Sequence, residues 1–349
     1  LWDRGLIYQG YRVTPHCPRC GTSLSSHEVA LGYRDDVEDP SVYIKFRVSD
    51  RAVKEYLQRF GARPDLPTYL LAWTTTPWTL PANTALAVAP DADYAFVEVV
   101  IEGRNEQFIL AEALLKSVLI NQYQVVGTCK GKELMGERLH GKGVEYEPLY
   151  ILPDEFYKKW GGVIEINGIT PYIAGMLVNG APSRGESFWL IAEDFVSLDE
   201  GTGIVHIAPA FGEVDYNAGY RNGLYFVQPV DERGIMTGDV HFEGKFVKDA
   251  DPLILKDLES RHLLYRSEKI RHTYPFCWRC EAPLLYYAKA TWYIKTTAVK
   301  DRLISGNAEI NWHPEHIKYG RFGDWLGNAT SYLALPDASR AYRMHRELC

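Results

Sequence analysis

No stretch of this 349-residue chain approaches 18 consecutive apolar residues, which excludes a membrane-spanning helix and any membrane partner that needs one. Positive charge is in deficit. Lys and Arg total 38 against 45 Asp and Glu, a formal net charge of −7. That balance argues against indiscriminate nucleic-acid binding, so any RNA contact must come from a local basic patch. The opening "LWDRGLIYQGYRV" lacks both a signal-peptide pattern and an initiating Met. These absences suggest a cytoplasmic fragment or processed chain. Internal repeats and low-complexity linkers are not evident. Cysteine is scarce, at six residues, too few and too unevenly spaced for a disulfide framework.

What is present is an ordinary globular composition, 46% apolar and 24% charged, enough for a real core. The length suits two domains or one large domain with an insert. β-branched and alternating runs predict strands at "SVYIKFRV", "TYLLAWTTT", "TALAVAP", "DYAFVEVV", "YQVVGT", "GVIEI", "FWLIAEDFV" and "TGIVHIAP". Helices are predicted at "AEALLKSVLI", "GEVDYNAGYRNGL", "DADPLILKDLESRHL" and "VKDRLISG". The result is a β-rich α+β chain, its block from about 35 to 265 bracketed by two Cys-x-x-Cys elements.

Those elements are Cys17/Cys20 and Cys277/Cys280. Each pair can chelate one metal from a tight turn, and together they supply the four thiolates of a closed tetrahedral zinc site. They lie too far apart for an ordinary zinc ribbon. The simple reading is a small zinc knuckle into which a whole domain is inserted. Such a site has no open position, so its role is structural. Cys129 and Cys349 stand alone.

The stretch "AWTTTPWTLPANTALAV" (Ala72 to Val88) concentrates hydroxyls between two tryptophans and two prolines. Alone, it reads as a Thr-rich strand ended by Pro. A second stretch, "DEGTGIVHIAPAFGEVDY" (Asp199 to Tyr216), has glycines around a Thr, a His within a strand, and an Asp at the start of a helix. A lone strand His is more often packing than function, and a lone Asp there is more often a dipole partner.

Taken together the two stretches resemble the editing domain of class I aminoacyl-tRNA synthetases for branched aliphatic amino acids. "TTTPWTLPAN" and "GTGIVHIAPAFGEVDY" are similar to the two editing motifs of the isoleucyl-tRNA synthetases. Relatives that charge valine or leucine usually carry Arg where this chain has Thr76, and they lack His206. "HCPRCGTSLSSHEVALGY" and "YPFCWRC" resemble the zinc-bearing subset. The resemblance covers about residues 1–328.

It implies an editing-domain β-barrel (35–265) inserted into a zinc knuckle (1–34 and 266–290), with a stub of the class I Rossmann catalytic domain (291–328). It implies hydrolysis of valine mischarged onto tRNA(Ile), at the tRNA 3′ end. Isoleucine and valine differ by one methylene, worth about 1–3 kcal/mol in a pocket, and the isoleucyl enzyme is the standard illustration of that limit. By the same resemblance Asp215 takes the α-ammonium group. Thr74, Thr75 and Thr76 hold the terminal adenosine and place water, and Thr79 lines the pocket. His206 and Trp73 set its size, and Asn83 adds a polar contact. Whether His206, a tRNA hydroxyl or neither acts as base stays open. Zinc is the implied cofactor, with ATP used only by the full parent enzyme.

Two departures stand out. The HIGH and KMSKS signatures are absent, so no aminoacylation is expected from this chain. After Asn328 the family pattern stops, and "ATSYLALPDASRAYRMHRELC" (329–349) does not align, as though the reading frame were lost there. The alternatives are a non-catalytic zinc module that binds nucleic acid or scaffolds an assembly, and a valyl- or leucyl-type editing domain.

Overall fold

The computed structural model describes residues 1–135, 143–159, 178–179, 187–238 and 240–328. The expected strand "GVIEI" and the tail 329–349 lie outside them. The chain divides into two compact units, one from the segments 1–12, 160–178 and 289–349, the other from 13–159 and 179–288.

The second unit carries the main sheet. Its flank begins in β1 (Ile7–Cys17), which pairs with the short β2 (Thr22–Ser23), followed by α1 (Ser26–Ala30). Ser25 caps α1 through the Glu28 amide, and Glu28 returns the bond to the Ser25 backbone N–H, a reciprocal capping box. Then come β3 (Tyr33–Arg47), α2 (Asp50–Glu55), β4 (Thr68–Thr74) and β5 (Ala85–Val88). β6 (Asp93–Ile101), β7 (Arg104–Ala111), α3 (Leu115–Val118) and β8 (Tyr123–Lys130) follow. Two short strands, β9 (Lys158–Lys159) and β10 (Val178–Asn179), pair with each other. β11 (Trp189–Ala192), β12 (Ile204–Ile207), α4 (Glu213–Arg221), α5 (Val247–Ser260) and β13 (Leu264–Pro275) complete it, and β14 (Leu285–Ile294), like β1, is divided between the two units.

Nine strands form the main sheet, in the path β11-β5-β12-β4-β7-β6-β8, with β3 joining β4 and β13 joining β3. The sheet forks at β4. One edge of β4 pairs with β3 throughout; the other pairs with β7 at Thr68–Leu70 and with β12 at Trp73. The fork matters because the threonines follow directly from the second half of β4. β5 and β4 flank β12, so the strand carrying His206 is enclosed on both edges. The apolar inner positions of β4 to β7 are fully buried, Leu70, Leu71, Phe96 and Phe108 among them, which is where burial stabilises this unit. A Lys45–Glu106 ion pair sits inside, its Nζ–Oε2 distance 2.8 Å, both side chains buried.

In the other unit, α6 (Lys300–Glu309), α7 (His316–Tyr319) and α8 (Arg321–Asn328) pack around Trp312 and Phe322, whose ring centroids are 5.0 Å apart.

The secondary structure departs from the sequence reading at several places, and two strands, β7 (Arg104–Ala111) and β14 (Leu285–Ile294), are not expected at all. "AEALLKSVLI" is not one helix. Ala111 closes β7, a 3₁₀ turn takes Glu112–Leu114, and only Leu115–Val118 is α-helical. The first half of β3 and β13, where no strand is expected from the sequence, form a long antiparallel ribbon, Leu264 opposite Ile44 and Pro275 opposite Tyr33. Their side chains are mostly exposed or half-buried, so no apolar alternation marks them. An internal repeat, described with the cysteines below, is not expected either.

Candidate functional site

β4 ends at Thr74, and after Thr75 and Thr76 a 3₁₀ turn runs over Pro77–Ala82. Proline suits the first position of such a turn, because its fixed φ matches and its missing N–H would have no partner there. All six residues of the turn are buried, so the turn is wedged in the core rather than waving from it. The hydroxyls then form a chain. The Thr76 N–H donates to Thr74 Oγ1 at 3.1 Å, and Thr74 Oγ1 and Thr76 Oγ1 are 3.3 Å apart. Thr76 Oγ1 and Thr79 Oγ1 are 3.4 Å apart. Thr79 Oγ1 donates to the Thr76 carbonyl at 2.8 Å.

His206 lies on β12 opposite Leu86, buried, with both ring nitrogens engaged. Nε2 is 2.9 Å from Thr79 Oγ1, and Nδ1 is 2.9 Å from Asn83 Nδ2. The partners fix the tautomer. The Tyr146 hydroxyl donates to Asn83 Oδ1 at 2.6 Å, and Asn83 Nδ2 also donates to the Ala85 carbonyl at 2.8 Å. The Asn83 amide nitrogen therefore donates to Nδ1, which leaves the proton on Nε2, pointing at Thr79. Burial holds the imidazole neutral, pushing its pKa down to about 3.

Asp215 sits in the first turn of α4, where the positive end of the helix favours a carboxylate. It accepts from the Ala208 N–H at 2.9 Å. Burial pushes its carboxyl up to about 6, against the pull of the Ala208 and Asp215 N–H groups. Gly212 leaves room for it, since a Cβ there would lie 2.9 Å from the Asp215 Cγ.

These pieces enclose a cavity of about 220 Å³, lined by Trp73, Thr74, Thr75, Thr76, Thr79, Val205, His206, Ala208, Phe211 and Asp215. It is smaller than the roughly 300–1,000 Å³ typical of drug-sized ligands, so it suits a small group. Every site residue read from the two sequence stretches faces it except Asn83, which stands behind His206. Trp73 is held from two sides. Its Nε1 donates to Ser41 Oγ at 2.8 Å, and Gly201, at φ +72°, packs on its ring.

The sequence reading left out five contributors. Val205, Ala208 and Phe211 lie within the quoted stretches, and their adjacency to His206 was the available signal. Ser41 and Tyr146 have no local signal, since they reach Trp73 and Asn83 only after distant segments pair.

Cys17, Cys20, Cys277 and Cys280 also converge, all four Sγ atoms lying within 4.8 Å of one another. Cys17 and Cys280 Sγ are 3.4 Å apart, Cys20 and Cys277 Sγ 4.0 Å. Tetrahedral coordination at Zn–S distances of about 2.3 Å requires sulfur separations of about 3.8 Å, so the donor set fits a divalent metal. The two knuckles repeat each other. Pro, Cys, Arg, Cys and Leu recur in register at Pro15–Leu24 and Pro275–Leu284. The Gly21 N–H donates to the Cys17 carbonyl at 2.9 Å, as Glu281 does to Cys277 at 2.8 Å. Leu24 donates to Pro15 and Leu284 to Pro275 in the same way. Gly21 and Glu281 both take positive φ, 66° and 61°. This is the internal repeat that the sequence reading missed, because it is ten residues long and split by the insert.

The family model of class I tRNA synthetases (I, L, M and V) matches residues 1–334, and the chain belongs to that family. Within it the chain is similar to isoleucine–tRNA ligases. That of Dehalococcoides mccartyi (strain CBDB1) is 50% identical over 333 residues, 94% of this chain and 30% of that protein. That of Clostridium novyi (strain NT) is 40% identical over 335 residues, 95% of this chain and 27% of that protein. The chain thus spans about 30% of the length of the curated relatives it matches. Among solved structures, the cytosolic leucyl-tRNA synthetase editing domain of P. falciparum is similar over 67% of this chain and 99% of its own, at 10% identity and TM-score 0.43. That of P. knowlesi covers 69% and 98%, at 11% identity and TM-score 0.43.

Proposed function

We propose that the cavity hydrolyses valine from mischarged tRNA(Ile), acting on the aminoacyl ester at the tRNA 3′ end. The observation that carries this reading is the cavity's chemistry: one carboxylate, a chain of neutral hydroxyls, and a wall of Trp73 and His206. Asp215 in its ionised form pairs with the α-ammonium group of the ester, a charge-assisted contact. Thr74, Thr75 and Thr76 hold the terminal adenosine and a water. That water attacks the ester carbonyl carbon, the acyl carbon–oxygen bond breaks, and the proton ends on the departing ribose hydroxyl. Free valine leaves. Placement and hydrogen bonds to the developing oxyanion suffice for an activated ester.

His206 is a wall and a donor, not the base. Its Nδ1 lone pair is taken by Asn83 and its Nε2 proton by Thr79. A side chain one methylene larger than valine meets His206 and Trp73, so the cavity acts as the second sieve.

The same reading assigns the editing β-barrel to 35–265, the knuckle halves to 1–34 and 266–290, and a Rossmann return to 291–328. The four cysteines hold one structural zinc ion and supply no catalysis. ATP use belongs to the whole enzyme, and the setting is the cytoplasm.

The test is deacylation of Val-tRNA(Ile) and Ile-tRNA(Ile) by this chain, beside an Asp215→Ala variant. Loss of valine alone, abolished in the variant, supports the reading. Equal rates for both esters, or a rate indifferent to Asp215, overturn it.

A further inference from the structure

The threonine turn has one backbone donor that its own residues do not serve. The first N–H groups of any helical turn lack partners within it. Pro77 has no N–H, and the Thr79 N–H donates to the Thr76 carbonyl at 3.1 Å. The Trp78 N–H remains, buried with the rest of the turn. It donates to Asp251 Oδ1 at 2.8 Å. Asp251 belongs to α5, an element that lines no part of the cavity, and it is 4% exposed. A carboxyl so deeply buried is rare without a partner, and the Trp78 N–H is that partner. The Trp78 ring in turn packs edge-on against Phe211, centroids 4.9 Å apart, and Phe211 lines the cavity.

We propose that Asp251 is a positioning residue for the editing site, anchoring from α5 the turn that carries Thr76 and Thr79. The inference rests on the proposed hydrolysis and deepens it. The bond needs only an acceptor at Oδ1, not a charge. Burial pushes the Asp251 carboxyl up to about 7, while Lys248 and the Trp78 N–H pull it down and Asp39 pushes it up. Lys248 is itself paired with Asp39 at 2.6 Å, and Asp39 also meets His272 Nε2 at 2.9 Å. Lys248 lies 4.8 Å from the centre of the Tyr274 ring. Either protonation state of Asp251 offers an oxygen to Trp78, and an asparagine offers the same oxygen.

The experiment compares Asp251→Asn with Asp251→Ala in the full chain, by two readouts. The first is hydrolysis of Val-tRNA(Ile), with kcat and KM resolved. The second is hydrogen exchange of the Pro77–Ala82 segment. Asp251→Ala is expected to fall about 10- to 100-fold in kcat, the scale for displacing a positioned group by about an ångström. KM should rise by less than kcat falls, because the Asp215 contact is untouched while Thr76 also holds the adenosine. Exchange at Trp78 should rise. Asp251→Asn should keep the rate and the protection.

A folded Asp251→Ala with wild-type kcat and protection overturns the proposal, as does a folded Asp251→Asn as impaired as the alanine. If the alanine variant does not fold, the asparagine variant alone decides: a folded Asp251→Asn that loses about tenfold or more in kcat, or the protection of Trp78, overturns the proposal. If the unsubstituted chain hydrolyses no valyl ester, the failure lies with the proposed function, and Trp78 exchange still tests the anchor.

Discussion

Asp215 and His206 are the two ionisable side chains lining the cavity, and burial acts on them in opposite senses. For Asp215 the folded pKa of about 6 stands above the ordinary 3.8, so the folded state binds the proton more tightly than the unfolded chain. Stability from this group is therefore full below about pH 4 and is lost as pH rises through about 6, on the order of 3 kcal/mol in all. Asp215→Asn should remove that loss. Its melting temperature should exceed the parent's at pH 8 by a few degrees, and the gap should shrink toward pH 5. A gap independent of pH would show that the carboxyl is not strained by burial. Activity should move the other way, because the charge that destabilises the fold is the one proposed to pair with the substrate's ammonium group. The parent's rate should rise with pH through about 6 as Asp215 ionises. His206→Ala should keep that inflection, since an imidazole with a pKa near 3 does not titrate there. The same variant should hydrolyse Ile-tRNA(Ile) at least about tenfold faster, the worth of admitting one methylene. An inflection that disappears with His206 would make the imidazole the titrating base. At this scale the sequence was informative. Thr74, Thr75, Thr76, Thr79, Trp73, His206 and Asp215 are adjacent to turn and strand signals within two short stretches. Tyr146, Ser41 and Asp251 were not legible, because each acts through a single bond to a residue far along the chain.

The elements bring these residues together through close backbone approach. The loop after β11 crosses the face of Trp73 at Gly201, whose φ of +72° and missing side chain both matter. A Cβ there would lie 2.8 Å from Trp73 Cε3 and 3.3 Å from its Cβ. Gly201→Ala should thus cost about 1–3 kcal/mol through backbone strain alone. It should also push Trp73 into the cavity, raising KM for valyl ester before kcat falls. Urea denaturation and steady-state kinetics check the two parts, and an unchanged KM would mean that Trp73 does not bound the substrate. The strands that sequence reading found, β4, β5, β6 and β12 among them, carry apolar runs whose burial forces their pairing. It missed β7, whose apolar run is short, and β13 with the first half of β3, where Asp, Glu, Lys and Arg are interspersed along a ribbon whose side chains are mostly exposed or half-buried. Their order comes from each other, and one strand without its partner shows nothing to read.

In the molecule as a whole, that ribbon runs from the threonine strand, where Val42 lies opposite Thr74, to the knuckles, where Tyr33 lies opposite Pro275. At the cavity end β3 is locked to β4 over Val42–Arg47 and shares the main core. At the knuckle end the core is only Cys17, Leu24, Val29, Cys277 and Leu284, with Cys280 and Ala282 packed against it. A cluster that small does not hold two distant chain segments together without a staple, and a metal on four thiolates is the staple the geometry fits. Removing it should therefore unfold one end only. We expect one zinc ion per chain, released by a thiol-modifying reagent together with a chelator. Cys280→Ser should weaken its retention. Exchange protection should collapse at Val13–Leu31 and Phe276–Leu285 while β4 to β8 and β12 keep theirs, a local rather than global opening. Valyl-ester hydrolysis should then survive within about threefold, because every side chain lining the cavity is anchored in the part that stays folded. Should the whole chain melt in one step on metal loss, the knuckle is no appendage but the closure on which the inserted domain depends. The Asp39–Lys248–His272 contacts along the ribbon would then be the path through which it acts.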